Sequence, residues 1–278
     1  MLSARCFLLT LSLVICFCFT TVSFSTWPGF CSSFRTVPHS ETVNDTTGSG
    51  QPYSGIDAFE YPDYCTTSKT VALTFDDTPD TELEDLLRLL KLHNATATFF
   101  ENGPHHFGGL RDLTSSVRKI LANGHQIGSH SWNHINMSDV SHEDLDYNLI
   151  SMNDWLFDNF QIRTRFVRPP WGLCDDECLR QLASRAYYPV GYAIDVEDWR
   201  YSTANLVDLS VKEFEKWTYQ WERTRSSRRR GPIVSLHAGY RPVVDTTAPA
   251  IMAYFERQGF RFASVAECLG FRRSEWYM

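Results

Sequence analysis

Short apolar runs alternate with amphipathic stretches from about residue 70 to the end of the chain. Residues 70–75 and 95–100 are rich in β-branched and aromatic side chains, which predicts two strands. Residues 81–93 lie between them and predict a helix, because their leucines recur at helical spacing. Those leucines are Leu83, Leu86, Leu87 and Leu90.

The same alternation continues along the chain. Further helices are predicted over residues 111–123 and from a capping pattern at Ser141 and Asp144 to about residue 159. The remaining predicted strands are residues 165–167, 190–194, 232–236 and 261–263. Repeated units of a strand followed by a helix imply a largely parallel sheet or barrel in one domain, over residues 69–271.

The first residues have the layout of a secretory signal. One positive charge is followed by thirteen uncharged residues at 7–19, and Ser23 and Ser25 are the small residues that a signal peptidase prefers. A signal peptide over residues 1–25 is therefore predicted. The alternative is a membrane anchor, but thirteen apolar residues are fewer than the roughly 20 needed to span a bilayer. We expect no membrane anchor and a protein secreted to the extracellular space or cell wall.

Residues 26–68 are rich in Ser, Thr, Pro and Gly and show no sustained period, which predicts an N-terminal extension or linker. The chain carries 26 basic and 33 acidic residues, a formal net charge of −7, so we expect no nucleic-acid partner. Sequons at Asn44, Asn94 and Asn136 agree with a secreted glycoprotein. No feature of the sequence specifies an oligomeric state.

Eight cysteines suit an oxidising compartment. Cleavage after residue 25 would remove three of them and leave Cys31, Cys65, Cys174, Cys178 and Cys268. Cys174 and Cys178 could close one short loop. Cys65 and Cys268 could tie together the ends of the domain, which would stabilise it by roughly 4–5 kcal/mol in the chain-entropy model. Cys31 would then be unpaired or joined to another chain.

Polar clusters follow the predicted strands directly, where active sites form in parallel α/β folds. The first cluster contains Asp76 and Asp77. Adjacent carboxylates repel each other, which suggests that a cation lies between them. The alternative is an ordinary turn or helix cap, since two aspartates shortly before Pro79 are common in turns.

The second cluster contains His130 and His134. They are four positions apart, which on a helix is one turn and would let both face one metal ion. With one carboxylate they would form a three-ligand site that leaves a position open for water, as in catalytic zinc sites. Paired surface histidines also occur by accident, and it is the combination with Asp76 and Asp77 that favours a metal site.

Three further clusters complete the series. Residues 168–172 (RPPWG) form a stiff loop whose backbone amides could face a ligand, although an ordinary loop is the simpler alternative. Residues 195–199 (DVEDW) form an acidic loop after an apolar strand. His237 follows the predicted strand at 232–236, where a lone histidine is more often structural than catalytic.

Taken together and in this order, the five clusters resemble the polysaccharide deacetylase (NodB homology) domain, carbohydrate esterase family 4. Residues 123–130 (NGHQIGSH) and 95–100 (ATATFF) are similar to sequence segments at the corresponding positions of that family. The resemblance covers about residues 68–270. Within the family, the positions of the Cys174/Cys178 and Cys65/Cys268 pairs are most similar to those of secreted fungal chitin deacetylases.

The resemblance implies an α/β fold, a deformed (β/α) barrel forming a single catalytic domain, and a metal-dependent N-deacetylase. Asp77, His130 and His134 would hold the metal, expected to be Zn²⁺, with another divalent ion such as Co²⁺ as the alternative. Asp76 would be the general base. Arg168 would pair with Asp76 and keep it ionised.

The remaining roles also come from the resemblance. Trp171 would offer its backbone N–H to the oxyanion, and Trp199 would help to wall the acyl pocket. Asp195 would pair with His237, the general acid. The expected substrate is chitin or another N-acetylated polysaccharide.

Two departures from the family pattern stand out. Thr78 replaces a usual glycine and could shift the loop that carries the base and one metal ligand, whereas Trp171 replaces a tyrosine with little expected effect. The alternatives to chitin are peptidoglycan and acetylated xylan. A carbohydrate-binding protein that lost turnover through Thr78 is a further alternative, but a pure binder needs neither Asp76 nor His237.

Overall fold

An eight-stranded, entirely parallel sheet organises the described part of the chain. The computed structural model describes residues 61–78, 81–105, 112–201, 206–223 and 229–278. These ranges belong to one compact unit, Tyr53–Met278. The predicted signal peptide, Cys31 and most of the predicted extension lie outside the described residues.

The strand order is β5-β4-β3-β2-β1-β7-β6, and β8 pairs with the first residues of β1. The strands are β1 (Thr70–Asp76), β2 (Thr98–Glu101), β3 (Gln126–Ser129), β4 (Phe166–Val167), β5 (Tyr188–Pro189), β6 (Ile194–Asp195), β7 (Ile233–His237) and β8 (Arg261–Phe262). Strand β1 is central and buried along its whole length. The sheet curls into a half-barrel, which confirms the predicted α/β class and deformed barrel.

Helices cover the sheet. They are α1 (Leu83–Leu92), α2 (Leu113–Ala122), α3 (His142–Phe160), α4 (Asp176–Ser184), α5 (Val207–Trp221), α6 (Ala248–Arg257) and α7 (Val265–Cys268). Short 3-10 turns at Pro170–Gly172 and Arg273–Glu275 and a π-helical turn at Val243–Thr247 complete the elements. Within the described ranges, every helix is too short or too polar to cross a bilayer.

Two helices form for the reasons that the sequence predicts. The four leucines of the α1 stripe are all buried, because α1 packs that face on the sheet. Helix α3 begins after Ser141, whose hydroxyl accepts a hydrogen bond from the backbone N–H of Asp144 at 3.1 Å. This bond satisfies one of the amides that have no partner inside the first turn.

The predicted strand at residues 190–194 is wrong except at Ile194, the first residue of β6, because the backbone bends between β5 and β6. The Gly191 N–H donates to Pro62 O (3.0 Å) instead of joining a strand ladder. The Tyr61 ring lies directly on Gly191, where an added Cβ would come within 2.5 Å of it. The chain therefore bends at the residue that has no side chain to collide with that ring.

Residues 61–68, which composition places in the extension, pack against the sheet. Asp63 O accepts from the Ile233 N–H at 2.8 Å, and Tyr64 forms an antiparallel bridge with Pro232. Both possible disulfides noted above are present. Cys65 is bonded to Cys268 across 203 residues, and Cys174 is bonded to Cys178.

His125 provides a test of the core that is independent of function. Its imidazole is 4% exposed, and its Nδ1 accepts a hydrogen bond from the Ala97 N–H at 3.2 Å. Burial lowers the pKa of His125 to about 4. The folded state therefore favours the neutral ring, and this contribution to stability is present above pH 6.5 and is lost as the pH falls toward 4.

We expect wild type to lose about 2 kcal/mol more of its unfolding free energy between pH 7.5 and pH 5 than a His125→Asn variant. Asn keeps an acceptor near the position of Nδ1 but does not titrate. Urea unfolding at the two pH values measures the difference. His142→Asn, at an exposed histidine, is the matched control and should retain the wild-type pH dependence. Equal pH dependence in wild type and His125→Asn would contradict the assignment.

Candidate active site

The carboxyl ends of β1, β3, β4, β6 and β7 bring the sequence-predicted residues to one edge of the sheet. The register of the strands explains why these residues are close together. Asp76 at the end of β1 lies directly beside His237 at the end of β7. On the other side, Ser129 at the end of β3 pairs with Val167 at the end of β4. The residues that follow these strands therefore share one edge.

Asp77, His130 and His134 form a candidate metal site. One potential ligand atom from each residue lies within 4.8 Å of the other two, and the His134 Nε2 to Asp77 Oδ2 distance is 3.9 Å. Two imidazoles and one carboxylate are a donor set that suits zinc and leaves a coordination position for water. The predicted ligands are thus placed together and fit a divalent metal.

The two histidines belong to an irregular loop after β3, so the predicted helical turn between them is wrong. The loop turns through Ser131 and His134, both at positive φ, and brings the ring centroids of His130 and His134 to 4.9 Å. The His130 Nδ1–H donates to Arg168 O at 2.8 Å. This bond fixes the tautomer and leaves Nε2 as the ligand atom.

Backbone strain is concentrated around this site. Of the nine described residues other than glycine that have a positive φ, five lie here: Asp77, Ser131, His134, Trp171 and Glu197. Each belongs to one of the polar clusters that follow the strands. The left-handed region costs such residues of order 1 kcal/mol or more, which the surrounding packing must offset. Thr78, where the family usually has glycine, does not have a positive φ, so its backbone conformation does not require glycine.

Arg168 is a buried cation that holds Asp76. The arginine is 1% exposed, and its Nη1 donates to Asp76 Oδ1 at 2.9 Å and also to Thr74 Oγ1. Its Nη2 donates to Gly191 O at 3.0 Å, and its guanidinium carbon lies 4.3 Å from the Phe100 ring centroid. The predicted pairing of Arg168 with Asp76 is present.

The surroundings of Asp76 keep it ionised. Burial by itself raises the pKa of the carboxyl, but the charge of Arg168, followed by those of His130 and His237, outweighs it and holds the pKa below its usual range. The Ser235 hydroxyl donates to the second carboxylate oxygen at 3.4 Å. Ser235 and Thr74 are supporting residues that sequence reasoning missed, although both lie within the strands that carry the motifs.

His237 pairs with Asp198, so the predicted pair with Asp195 is wrong. The His237 Nδ1–H donates to Asp198 Oδ1 at 2.8 Å, and the His237 backbone N–H donates to Asp198 Oδ2 at 2.7 Å. Asp195 instead accepts from the Glu197 N–H at 2.8 Å. The loop turns through Glu197 at φ 50°, and Asp198 is the carboxylate that reaches His237. Both acidic residues are evident in the sequence, but the turn between them, which decides which one reaches His237, is not.

This pairing changes the charge of His237. Burial lowers the pKa of the imidazole, but the hydrogen bond that the ring donates to Asp198 and the charges of Asp198, Asp76 and Asp77 outweigh burial and raise the pKa to about 9. The ring is therefore protonated at neutral pH. Burial, together with the neighbouring Asp198, raises the pKa of Asp195.

Two exposed tryptophans adjoin the site. Trp171 is 61% exposed, and its indole contacts the His134 ring edge-on with centroids 4.4 Å apart. Trp199 is 51% exposed, and its backbone N–H donates to Asp198 Oδ1 at 2.9 Å. Exposed indoles beside a polar centre suit a ligand with both apolar and polar faces, such as a sugar ring or an acyl group.

Comparison with known proteins agrees with this geometry. Residues 63–190 match the family model described as polysaccharide deacetylase. Two curated relatives from Arthroderma benhamiae are a chitin deacetylase, 27% identical over 214 residues, and a probable peptidoglycan-N-acetylglucosamine deacetylase, 28% identical over 214 residues. Each alignment covers 77% of this chain, but only 55% and 47% of those relatives, so this chain spans about half of their length.

A solved structure is similar over most of its length. The chitin deacetylase of Colletotrichum lindemuthianum superposes with a TM-score of 0.70 at 25% sequence identity. The superposition covers 79% of this chain and 95% of that structure. This similarity supports the curled half-barrel described above.

We expect His130→Ala to abolish stoichiometric zinc binding while the metal-free protein keeps its fold. The substitution removes one of three donors without disturbing the buried strands. Metal analysis after dialysis, combined with calorimetric zinc titration, measures binding. His142→Ala, at an exposed histidine away from the cluster, is the control and should keep wild-type zinc content. Retention of one zinc per chain in His130→Ala would overturn the ligand assignment.

Proposed function

Because this chain belongs to the polysaccharide deacetylase family, we propose that it is a secreted, zinc-dependent chitin deacetylase. It would hydrolyse the N-acetyl groups of N-acetylglucosamine residues and release acetate, leaving chitosan. The observation that carries the proposal is the placement of an ionised Asp76 and a protonated His237 beside a cluster of metal-binding side chains. Amide hydrolysis needs both groups, whereas sugar binding alone needs neither.

Asp76 acts as the general base. Asp77, His130 and His134 would hold a zinc ion, which would supply Lewis acidity for the acetyl carbonyl and the attacking water. Asp76 accepts a proton from that water, and Arg168 keeps the carboxylate aimed and ionised. The backbone N–H of Trp171 donates to the oxyanion that forms on the acetyl oxygen.

His237 acts as the general acid. The amine of the sugar is a poor leaving group until it gains a proton. His237 donates that proton, and Asp198 stabilises the imidazolium and orients the ring through Nδ1. Asp195 then supports the acidic loop through its bond to the Glu197 N–H, a different role from the one that the sequence suggested.

Three features support an extracellular, N-acetylated polysaccharide as the substrate. The two disulfides suit an oxidising compartment. Trp171 and Trp199 expose indole surface beside the site, which suits a sugar or its acetyl group. The relatives named above act on chitin or, in one case, are described as acting on peptidoglycan. Peptidoglycan is therefore the second candidate substrate.

Acetate release from chitin oligomers, peptidoglycan and acetylated xylan, each with and without a chelator, tests the proposal. We expect chelator-sensitive release that is fastest on chitin oligomers. If acetate release were fastest from peptidoglycan, that polymer would be the substrate instead of chitin. If the zinc-bound protein released no acetate from any of the three polymers, the proposal that it is an active deacetylase would be wrong.

His237→Ala should lower the rate on chitin oligomers by about 10²–10⁴-fold. It should lower the rate on aryl acetates less, because their leaving group departs without a proton. The ratio of the two rate losses, measured at one pH with equal zinc content, is the diagnostic quantity. Equal losses on both substrates would mean that His237 serves the fold or the metal site.

Asp198→Asn should move the alkaline limb of the pH–rate profile to lower pH. Activity requires protonated His237 and falls as the pH rises through the pKa of that ring. Asp198 raises this pKa to about 9, so removal of its charge lowers it. The matched variant Asp195→Asn, which removes the same charge three residues away, should shift the limb much less. A larger shift in Asp195→Asn than in Asp198→Asn would instead support the pairing of His237 with Asp195 that was predicted from the sequence.

A further inference from the structure

Tyr61 connects the segment before β1 to the loop of the proposed oxyanion donor. Its hydroxyl donates a hydrogen bond to Gly172 O at 2.6 Å, across 111 residues of sequence. Gly172 directly follows Trp171, and both residues have positive φ, 54° and 70°. The loop therefore holds two consecutive left-handed residues, of which Trp171 is strained there.

The hydrogen bonds within the loop at residues 169–173 do not fix how the loop is oriented relative to the rest of the domain. Gly172 N–H donates to Pro169 O and Leu173 N–H donates to Pro170 O, both at 3.0 Å. These bonds close a short 3-10 turn on itself. The bond from Tyr61 comes from outside the turn, so it ties the turn to the body of the domain.

Tyr61 itself is firmly anchored. The adjacent Pro62 O accepts from the Gly191 N–H at 3.0 Å, and Cys65 is bonded to Cys268. The Tyr61 ring covers Gly191 so closely that a Cβ there would lie 2.5 Å from Tyr61 Cδ2. Gly191 is also the residue whose carbonyl accepts from the buried Arg168. Tyr61 thus touches the backbone that holds Arg168 and the backbone of the Trp171 turn.

We propose that Tyr61 is a positioning residue for deacetylation, which sets the Pro170–Gly172 turn, and with it the Trp171 N–H, relative to the Asp76–Arg168 pair. This inference rests on the proposed function, in which the Trp171 N–H stabilises the oxyanion. Burial raises the pKa of the Tyr61 hydroxyl against the opposing charge of Arg168, so it remains a hydrogen-bond donor across the working pH range. Its removal should weaken stabilisation of the transition state without affecting the metal ligands.

Tyr61→Phe keeps the ring on Gly191 and removes the hydroxyl alone. We expect kcat to fall by about 10-fold, because displacement of a catalytic group by a fraction of an ångström has effects of this order. KM, zinc content and the unfolding temperature should stay close to wild type. The control is Tyr64→Phe, which removes a hydroxyl from the same segment, leaves the Tyr61 bond to Gly172 intact and should keep wild-type kcat.

Comparison of chitin oligomers with an aryl acetate separates this role from others. Both substrates form an oxyanion, so Tyr61→Phe should slow both alike, whereas loss of the acid His237 slows the amide more. Wild-type kcat in Tyr61→Phe, a loss confined to the amide, or a parallel loss of zinc or of thermal stability would each overturn the inference. If wild type itself releases no acetate from any polymer or ester, the proposed function fails and the inference fails with it.

Discussion

The buried guanidinium of Arg168 is the constraint on which the site depends. A buried charge is tolerated only when it is paired with an opposite charge and hydrogen-bonded. Asp76 supplies the counter-charge, while Thr74 and the Gly191 carbonyl accept further hydrogen bonds. These partners come from β1 and from the bend between β5 and β6, and Arg168 follows β4. One cation therefore fixes the relative positions of three separate parts of the curled sheet.

The same cation also reaches the metal cluster through its own backbone. The Arg168 carbonyl accepts from His130 Nδ1, which determines the nitrogen that His130 presents to a metal. The proposed base and one candidate metal ligand are thus held by a single residue. A change at Arg168 would disturb both, and loss of activity in such a variant would not identify either role. A His130 variant separates the roles, because it removes the candidate metal ligand and keeps the bond between Arg168 and Asp76.

Asp76 and His237 lie in opposite electrostatic environments, which favour the ionised carboxylate and the protonated imidazole. Asp76 lies against a cation and has a pKa below its usual range, whereas His237 lies against carboxylates and has a pKa of about 9. Each group also contributes to the shift of the other, since the negative charge of Asp76 favours protonated His237. A base that is ionised and an acid that is protonated at the same pH is the arrangement that hydrolysis of an amide requires.

The sequence by itself determined the fold class and the location of the chemistry. Local periodicity specifies which stretches are buried strands and helices, and parallel strands place their carboxyl ends at one edge. The Ser141 cap and the leucine stripe of α1 were predictable for the same local reason. Strand β3 was not, because the polar Gln126 is buried there with its side-chain oxygen bonded to Thr98.

Only the tertiary structure decided which groups meet. The choice of Asp198 over Asp195 depends on a left-handed turn at Glu197, and the loop that carries His130 and His134 depends on positive φ at Ser131 and His134. Such conformations are unfavourable locally and persist because distant contacts hold them, so no local pattern reports them. The bond from Tyr61 to Gly172 is of the same kind, since it joins residues 111 positions apart.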